Sequence, residues 1–295
     1  MPASTSIASI AALTESQRAA LIHLLADDDP EVFRQIHETI LAQGPAARSW
    51  LELHRLSDDG RIRRRVRSLL DKLDVEEADN VFLSFCLTQG ARLDLEQGLF
   101  LLARTRYPEI NPDGYRALLD GYAEEVRDRV ATQDSPQRIL GTLNRLLFIQ
   151  LGFSGNQRDY YDPDNSYLNR VLDRRTGNPI TLSAVYLGVC RRLQLPVVGV
   201  GLPGHFLCRF QNAVDEIYVD PFNGGRLLTR TDCVHQLVRA NCNLSDDYLG
   251  PVSPRRMLLR SVNNLHQIYQ QRGETQYSLR MKRCLLALTK GPRLG

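Results

Sequence analysis

The segment from Asn165 to Gly225 constrains the fold more than any other part of the chain. It reads NSYLNRVLDRRTGNPITLSAVYLGVCRRLQLPVVGVGLPGHFLCRF and, a few residues on, IYVDPFNGG. Asn165 or Ser166 can cap a helix from Tyr167 to Arg174, which Thr176-Gly177-Asn178-Pro179 then breaks. A second helix runs from Ile180 to Leu193, with Leu182, Tyr186 and Val189 near one side and Cys190 close behind. It begins with Thr181 and Ser183, whose hydroxyls lie near the helix N-terminal amides. PVVGVGLP then reads as a buried strand closed by proline at both ends. Gly204 permits a tight turn into HFLCRF, where His205, Leu207 and Arg209 alternate with Phe206, Cys208 and Phe210. After a short acidic turn, IYVDP provides a third strand ending at Asp220. Two adjacent strands bearing His205 and Asp220 allow a carboxylate to orient an imidazole, as general-base chemistry requires. The same pair serves equally as a structural hydrogen bond in a small sheet.

The flanking sequence is helical. Thr14 or Ser16 starts a first helix, and Asp27 to Pro30 caps a second, Glu31 to Leu41, with Val32, Ile36 and Ile40 on one stripe. Gly44 stops it, and Trp50, Leu53 and Leu56 form another short stripe. An arginine-rich helix follows from near Ile62 to Leu73. A second helical block runs from Glu76 to about Val130, with Phe82, Phe85 and Cys86 facing its core. Asp94 starts Leu95 to Ala103, and Asn111-Pro112 precedes Tyr115 to Val126. Glu96, among apolar residues near a helix start, suits either helix-end electrostatics or a site lining. Gln137 to Gln150 ends at Gly152, and FSGNQRDYYDPDN reads as a loop anchored by Tyr160 and Tyr161. Thr231 caps Asp232 to Ala240. Pro254 opens a helix that Gly273 separates from Thr275 to Leu288.

Composition narrows the function classes. With 295 residues, 43% hydrophobic and 24% charged, the chain is long enough for one large or two modest ordered domains. A formal charge of +3 gives no nucleic-acid footprint, and Arg63-Arg64-Arg65 and Arg255-Arg256 read as solvated faces. No stretch has the length and uniform apolarity of a membrane span, and the N-terminus lacks the basic start of a secretory signal. The six cysteines, at 86, 190, 208, 233, 242 and 284, are scattered and read as buried free thiols in a cytoplasmic protein. GVGLPG lacks the lysine-serine or lysine-threonine end of a phosphate loop, and Asn223-Gly224-Gly225 reads as a tight turn. Cys233, His235 and Cys242 form no coherent zinc series, so neither metal nor cofactor is expected.

The run NSYLNRVLDRRTGNPITLS with PGHFL and VDPFNGG resembles the transglutaminase-like core of the SirB-one protein family, and the helical N-terminal region resembles that family too. Related enzymes use a Cys-His-Asp order with the cysteine at the start of a buried helix. The resemblance implies that His205 matches the catalytic histidine and Asp220 the orienting acid. No cysteine occupies the matching turn, where Pro179 stands closest to the nucleophile position. Cys190 lies about 16 Å further along the helix, which leaves Thr181 or Ser183 as hydroxyl candidates.

The resulting expectation is a predominantly helical α+β protein. A flexible stretch covers residues 1–13 and a HEAT-like helical domain 14–150. A transglutaminase-like core with a small antiparallel sheet spans 151–250, and a tetratricopeptide-like helix pair spans 251–295. The expected function is a degenerate core whose cleft binds a peptide, protein or small polar ligand through Tyr160, Tyr161, Asn165, Arg175, Asn178 and Glu96, with His205. The alternative is a hydrolase or acyl-transferase using Thr181 or Ser183 with His205 and Asp220. Neither nucleic acid nor membrane is expected as a partner.

Overall fold

The computed structural model describes residues 13–90, 93–131, 133–239 and 246–290. The expected flexible N-terminus, but for Leu13, and Cys242 lie outside the described residues. The chain divides into two compact units, Met1–Ala78 and Asp79–Gly295.

The first unit contains α1 (Glu15–Leu24), α2 (Pro30–Ala42), α3 (Pro45–Glu52) and the first part of α4 (Gly60–Thr88). Thr14 caps α1 in a reciprocal box with Gln17, and Asp29 caps α2 ahead of Pro30. Gly44, at φ 56°, ends α2 and starts α3 at once. The core here is Ile22, Leu25, Ile40, Ala47, Trp50, Leu51, Val66, Leu69, Leu70 and Leu73. Leu53 and Leu56 do not join it. They are 80% and 84% exposed, because α3 ends at Glu52 and the stripe extended from Trp50 has no helix to carry it. Arg65 is not a solvated charge either: it donates to the Asp27 carbonyl at 2.7 Å and lies 4.2 Å over the Phe33 ring. No break separates Leu73 from Glu76, since Asp-Val-Glu-Glu contains neither glycine nor proline and α4 runs on unbroken.

In the second unit the end of α4 supplies Phe82, Phe85 and Cys86 to the largest core. After α5 (Leu95–Arg104), α6 (Pro112–Arg127) and α7 (Pro136–Asn144), a π-helical turn spans Arg145–Gln150. Two short segments, β1 (Ser154–Gly155) and β2 (Thr176–Gly177), pair in parallel on either side of α8 (Leu168–Arg174). The central helix α9 (Pro179–Arg192) leads into β3 (Val197–Leu202), β4 (His205–Gln211), β5 (Glu216–Asp220) and β6 (Arg226–Leu228). Then come α10 (Arg230–Arg239), β7 (Pro251–Val252), α11 (Pro254–Gln271) and α12 (Thr275–Lys290). Thr229, not Thr231, exchanges bonds with Asp232 at the start of α10. The five-stranded sheet has the order β6-β5-β4-β3-β7, antiparallel throughout. The protein is thus predominantly helical with a small antiparallel sheet.

Both faces of that sheet are covered. Cys208, Phe210 and Val219 join the core that contains α9, while Leu207, Tyr218 and Val200 pack with Cys233 and Leu237 of α10. The period-2 alternation read from HFLCRF therefore separates two cores rather than a core and solvent. The five described cysteines are free and buried. Arg255, read from sequence as solvated, donates to the carbonyls of Leu288, Ala287 and Cys86 and so terminates two helices. Among the described residues, no helix is long and apolar enough to cross a membrane.

Candidate functional site

The β3–β4 hairpin places His205. Pro203 and Gly204 form its two-residue turn, Gly204 adopts φ 66°, and His205 pairs with Leu202 as the first residue of β4. Asp220 ends β5, two residues beyond Tyr218, which pairs with Arg209. Alternation along both strands thus puts Asp220 and His205 on the face covered by α10. His205 Nε2 lies 2.9 Å from Asp220 Oδ2. That oxygen also accepts from Asn223 Nδ2 at 2.8 Å, and Oδ1 accepts from the Asn223 amide at 3.2 Å. Burial pushes the Asp220 carboxyl up. The bond and charge of His205 and the two Asn223 bonds outweigh burial and hold it below the ordinary carboxylate value. No other described residue bonds the His205 ring, whose side chain remains 21% exposed. Phe222 meets it edge-on at 5.9 Å. The pair opens into a cleft of about 260 Å³ lined also by Leu202, Pro203, Asn223, Gln236 and Leu237.

The first turn of α9 does not complete this pair. Thr181 is fully buried, and its hydroxyl and amide both donate to Asn178 Oδ1, at 3.1 and 3.0 Å. Ser183 is also fully buried; its Oγ has no partner, and its carbonyl accepts from the Cys208 thiol at 3.7 Å. Cys208 sits on the sheet face opposite His205 by strand alternation, so this contact lies on the other side of the sheet. Burial pushes the Cys190 thiol well up, within the same core. His205 and Asp220 are brought together; neither hydroxyl bonds either of them.

The remaining residues singled out from sequence divide by what they bond. Asn178 caps α9 and donates through Nδ2 to Ser166 Oγ at 2.9 Å, so its amide is used internally. Asn165 is 1% exposed and donates to the carbonyls of Asp159 and Tyr160 at 2.7 and 3.2 Å. It shapes the tyrosine loop rather than lining a groove. Arg175, at φ 57°, ends α8 and donates to the Leu151 carbonyl at 2.9 Å. Glu96 is forked by Arg192 at 2.7 and 3.1 Å in a separate charged crevice with Arg116 and Asp120. Tyr160 and Tyr161 stay 39% and 59% exposed, and Tyr160 contacts Phe222 at 6.1 Å. Phe222 in turn fills the place a side chain on Gly155 would take, a Cβ there falling 2.6 Å from its ring. An aromatic path therefore links Tyr161, Tyr160, Phe222 and His205. Phe222 and Gln236 did not stand out in the sequence, although Phe222 lies two residues beyond Asp220, and Asn223 was read only as part of a tight turn.

Among the described residues, no group of three or more His, Cys, Asp or Glu side chains is placed to hold a metal ion. Residues 113–263 match the family described as the transglutaminase-like superfamily. A UPF0162 protein of Xylella fastidiosa is 38% identical over 193 residues, covering 63% of this chain and 68% of the relative. F-box only protein 21 of Mus musculus is 35% identical over 147 residues, covering 47% of this chain but 23% of the relative. Protein SirB1 of Salmonella typhimurium is 23% identical over 168 residues, covering 55% and 60%. No solved structure gives a significant match.

Proposed function

Because the chain belongs to the transglutaminase-like superfamily, we propose that it is a degenerate, ligand-binding member that retains a His–Asp pair without a nucleophile. The observation that carries this reading is the first turn of α9. The turn holds Pro179, Ile180 and Thr181, and the one hydroxyl among them is tied to its own cap residue. Hydroxyl catalysis needs the oxygen within reach of a base, and the bond to Asn178 competes with any such approach. His205 and Asp220 then act in recognition, the imidazole offering its unpaired nitrogen to a ligand while Asp220 fixes the ring. Tyr160 and Tyr161 form the adjoining wall, and a peptide or protein segment is the ligand class that aromatic walls and one polar anchor suit.

The reading places the ligand-binding core at residues 151–250, a HEAT-like helical domain at 14–150 and a tetratricopeptide-like cap at 251–295. It groups the chain with the SirB-one family and assigns it to the cytoplasm, a compartment in keeping with its free thiols.

The test is covalent trapping. Intact-mass analysis after exposure to a fluorophosphonate or an activated ester is expected to show no adduct on Thr181 or Ser183. An adduct at either position that disappears in His205→Ala would establish acyl transfer and overturn the reading. In the same protein, a mixture of short peptides is expected to shift the resonances of Tyr160, Tyr161 and His205 together.

A further inference from the structure

Arg260 brings a positive charge to the β3–β4 hairpin. It projects from α11 to the hairpin end, where Nη2 donates to the carbonyls of Leu202 and His205 at 3.2 and 3.1 Å. Its guanidinium covers the Phe206 ring at 5.2 Å from the centroid. Nη1 lies against Gly201, where a Cβ would fall 2.6 Å from it. Neither Nη1 nor Nε has a hydrogen-bond partner, and neither is a sealed, unpaired buried atom, so both donors reach solvent.

The contrast with neighbouring arginines is chemical. Arg192 is paired with Glu96 and Asp120, Arg209 with Glu216, and Arg280 with Asp79. Arg260 has no carboxylate partner among the described residues, and the like-charged Arg256 adds to its cost. A half-buried guanidinium without a counter-ion is costly in a packed protein, and an incoming anion removes that cost. The surroundings identify the rest of the ligand. Arg260 bonds the His205 carbonyl, the His205 ring contacts Phe222, and Phe222 contacts Tyr160. Arg260 and His205 thus meet at the Pro203–Gly204 end of the hairpin, with Phe222 and then Tyr160 extending from the His205 ring.

We propose that Arg260 is the anion anchor of the ligand site and takes a carboxylate of a bound peptide, with an adjacent aromatic or apolar side chain resting on Tyr160 and Phe222 beside His205. The assignment rests on the ligand-binding reading and specifies what that site recognises. Because Nη2 is held by two carbonyls, the anion is met by a single free donor, Nη1 or Nε, whose N–H bonds point to opposite sides of the guanidinium, and it binds without moving the hairpin.

N-acetyl-L-phenylalanine, its amide and inorganic phosphate serve as probes, read by NMR of the Arg260 Nε–H and the His205 ring. The carboxylate form is expected to shift both signals and to bind at least tenfold more tightly than the amide. Arg260→Gln should abolish that preference. Gly201→Ala should weaken carboxylate binding several-fold, since its methyl displaces Nη1 while the His205–Asp220 bond persists in the ring signals. Equal binding of acid and amide, or full binding by folded Arg260→Gln, overturns the assignment. Tighter binding of phosphate than of the carboxylate replaces peptide recognition with phosphate recognition. Absence of carboxylate preference in the wild-type protein, with no covalent adduct formed, defeats the Arg260 assignment alone. An adduct on Thr181 or Ser183 defeats the non-catalytic reading whichever probe binds.

Discussion

Asp220→Asn offers the sharpest test of the site's energetics. Asp220 is 2% exposed, and its Oδ2 receives both His205 Nε2 and Asn223 Nδ2. The amide replacement sets its NH₂ group either against the Asn223 backbone N–H or, flipped, against both His205 Nε2 and Asn223 Nδ2. His205 can recover one contact by moving its proton to Nδ1, so one charge-assisted bond is lost outright and another becomes neutral. Bonds to charged groups contribute about 1.5–3 kcal/mol each and neutral ones about 1 kcal/mol, which sets the expected loss at about 2–3 kcal/mol for the second unit. The probe matters, because the chain's single tryptophan, Trp50, lies in the first unit and would miss the change. Hydrogen exchange of the β4 and β5 amides reports on the right structure. The sign with pH follows from the direction of the shift. A carboxyl held below its ordinary value contributes stability that is complete above the unfolded-state value, about 3.9, and fades as pH falls through the lower folded value. The gap between wild type and Asp220→Asn is therefore expected to be constant from neutral pH to about pH 5 and to close below about pH 4. A loss under 0.5 kcal/mol at pH 7, or a gap that does not narrow in acid, would refute the reasoning.

Asn178→Ala removes the α9 cap and leaves Ser166 Oγ and Thr181 Oγ1 without their amide partner. It is expected to cost about 2–3 kcal/mol by calorimetry, with Asn178→Asp recovering the cap portion. Native protein should react with iodoacetamide at none of Cys86, Cys190, Cys208, Cys233 or Cys284 on the timescale of an exposed thiol, and at all of them once unfolded. Peptide mapping checks this, and rapid native labelling of Cys190 would contradict the packing of α9. Because Leu53 and Leu56 are exposed, the double change to serine should alter first-unit stability by no more than about 0.5 kcal/mol in Trp50-monitored urea melts. Trp50→Leu in the same unit should cost several times more.

Local chemistry made much of this protein readable before its structure. Thr14, Asp29, Asp94 and Asn111 announce helix starts because a short polar side chain satisfies amides two or three residues on, an interaction that needs no distant partner. Alternation in HFLCRF and the proline boundaries around PVVGVGLP mark strands for the same reason, and the adjacency of β4 and β5 follows from their short connection. The pairing of His205 with Asp220 was within reach on those grounds.

What the tertiary structure decided depends on residues far apart in sequence. The partner of Glu96 is Arg192, 96 residues away, which takes its carboxylate into a salt bridge. Tyr160 and Phe222 meet across 62 residues because Gly155 leaves room for the ring. Arg260 belongs to a helix that reads as packing, and only the hairpin end brought against it makes its charge a feature of the site. Period and capping record a residue's neighbours along the chain. Which charge stays unpaired is a property of the whole packed surface, and no local pattern carries it.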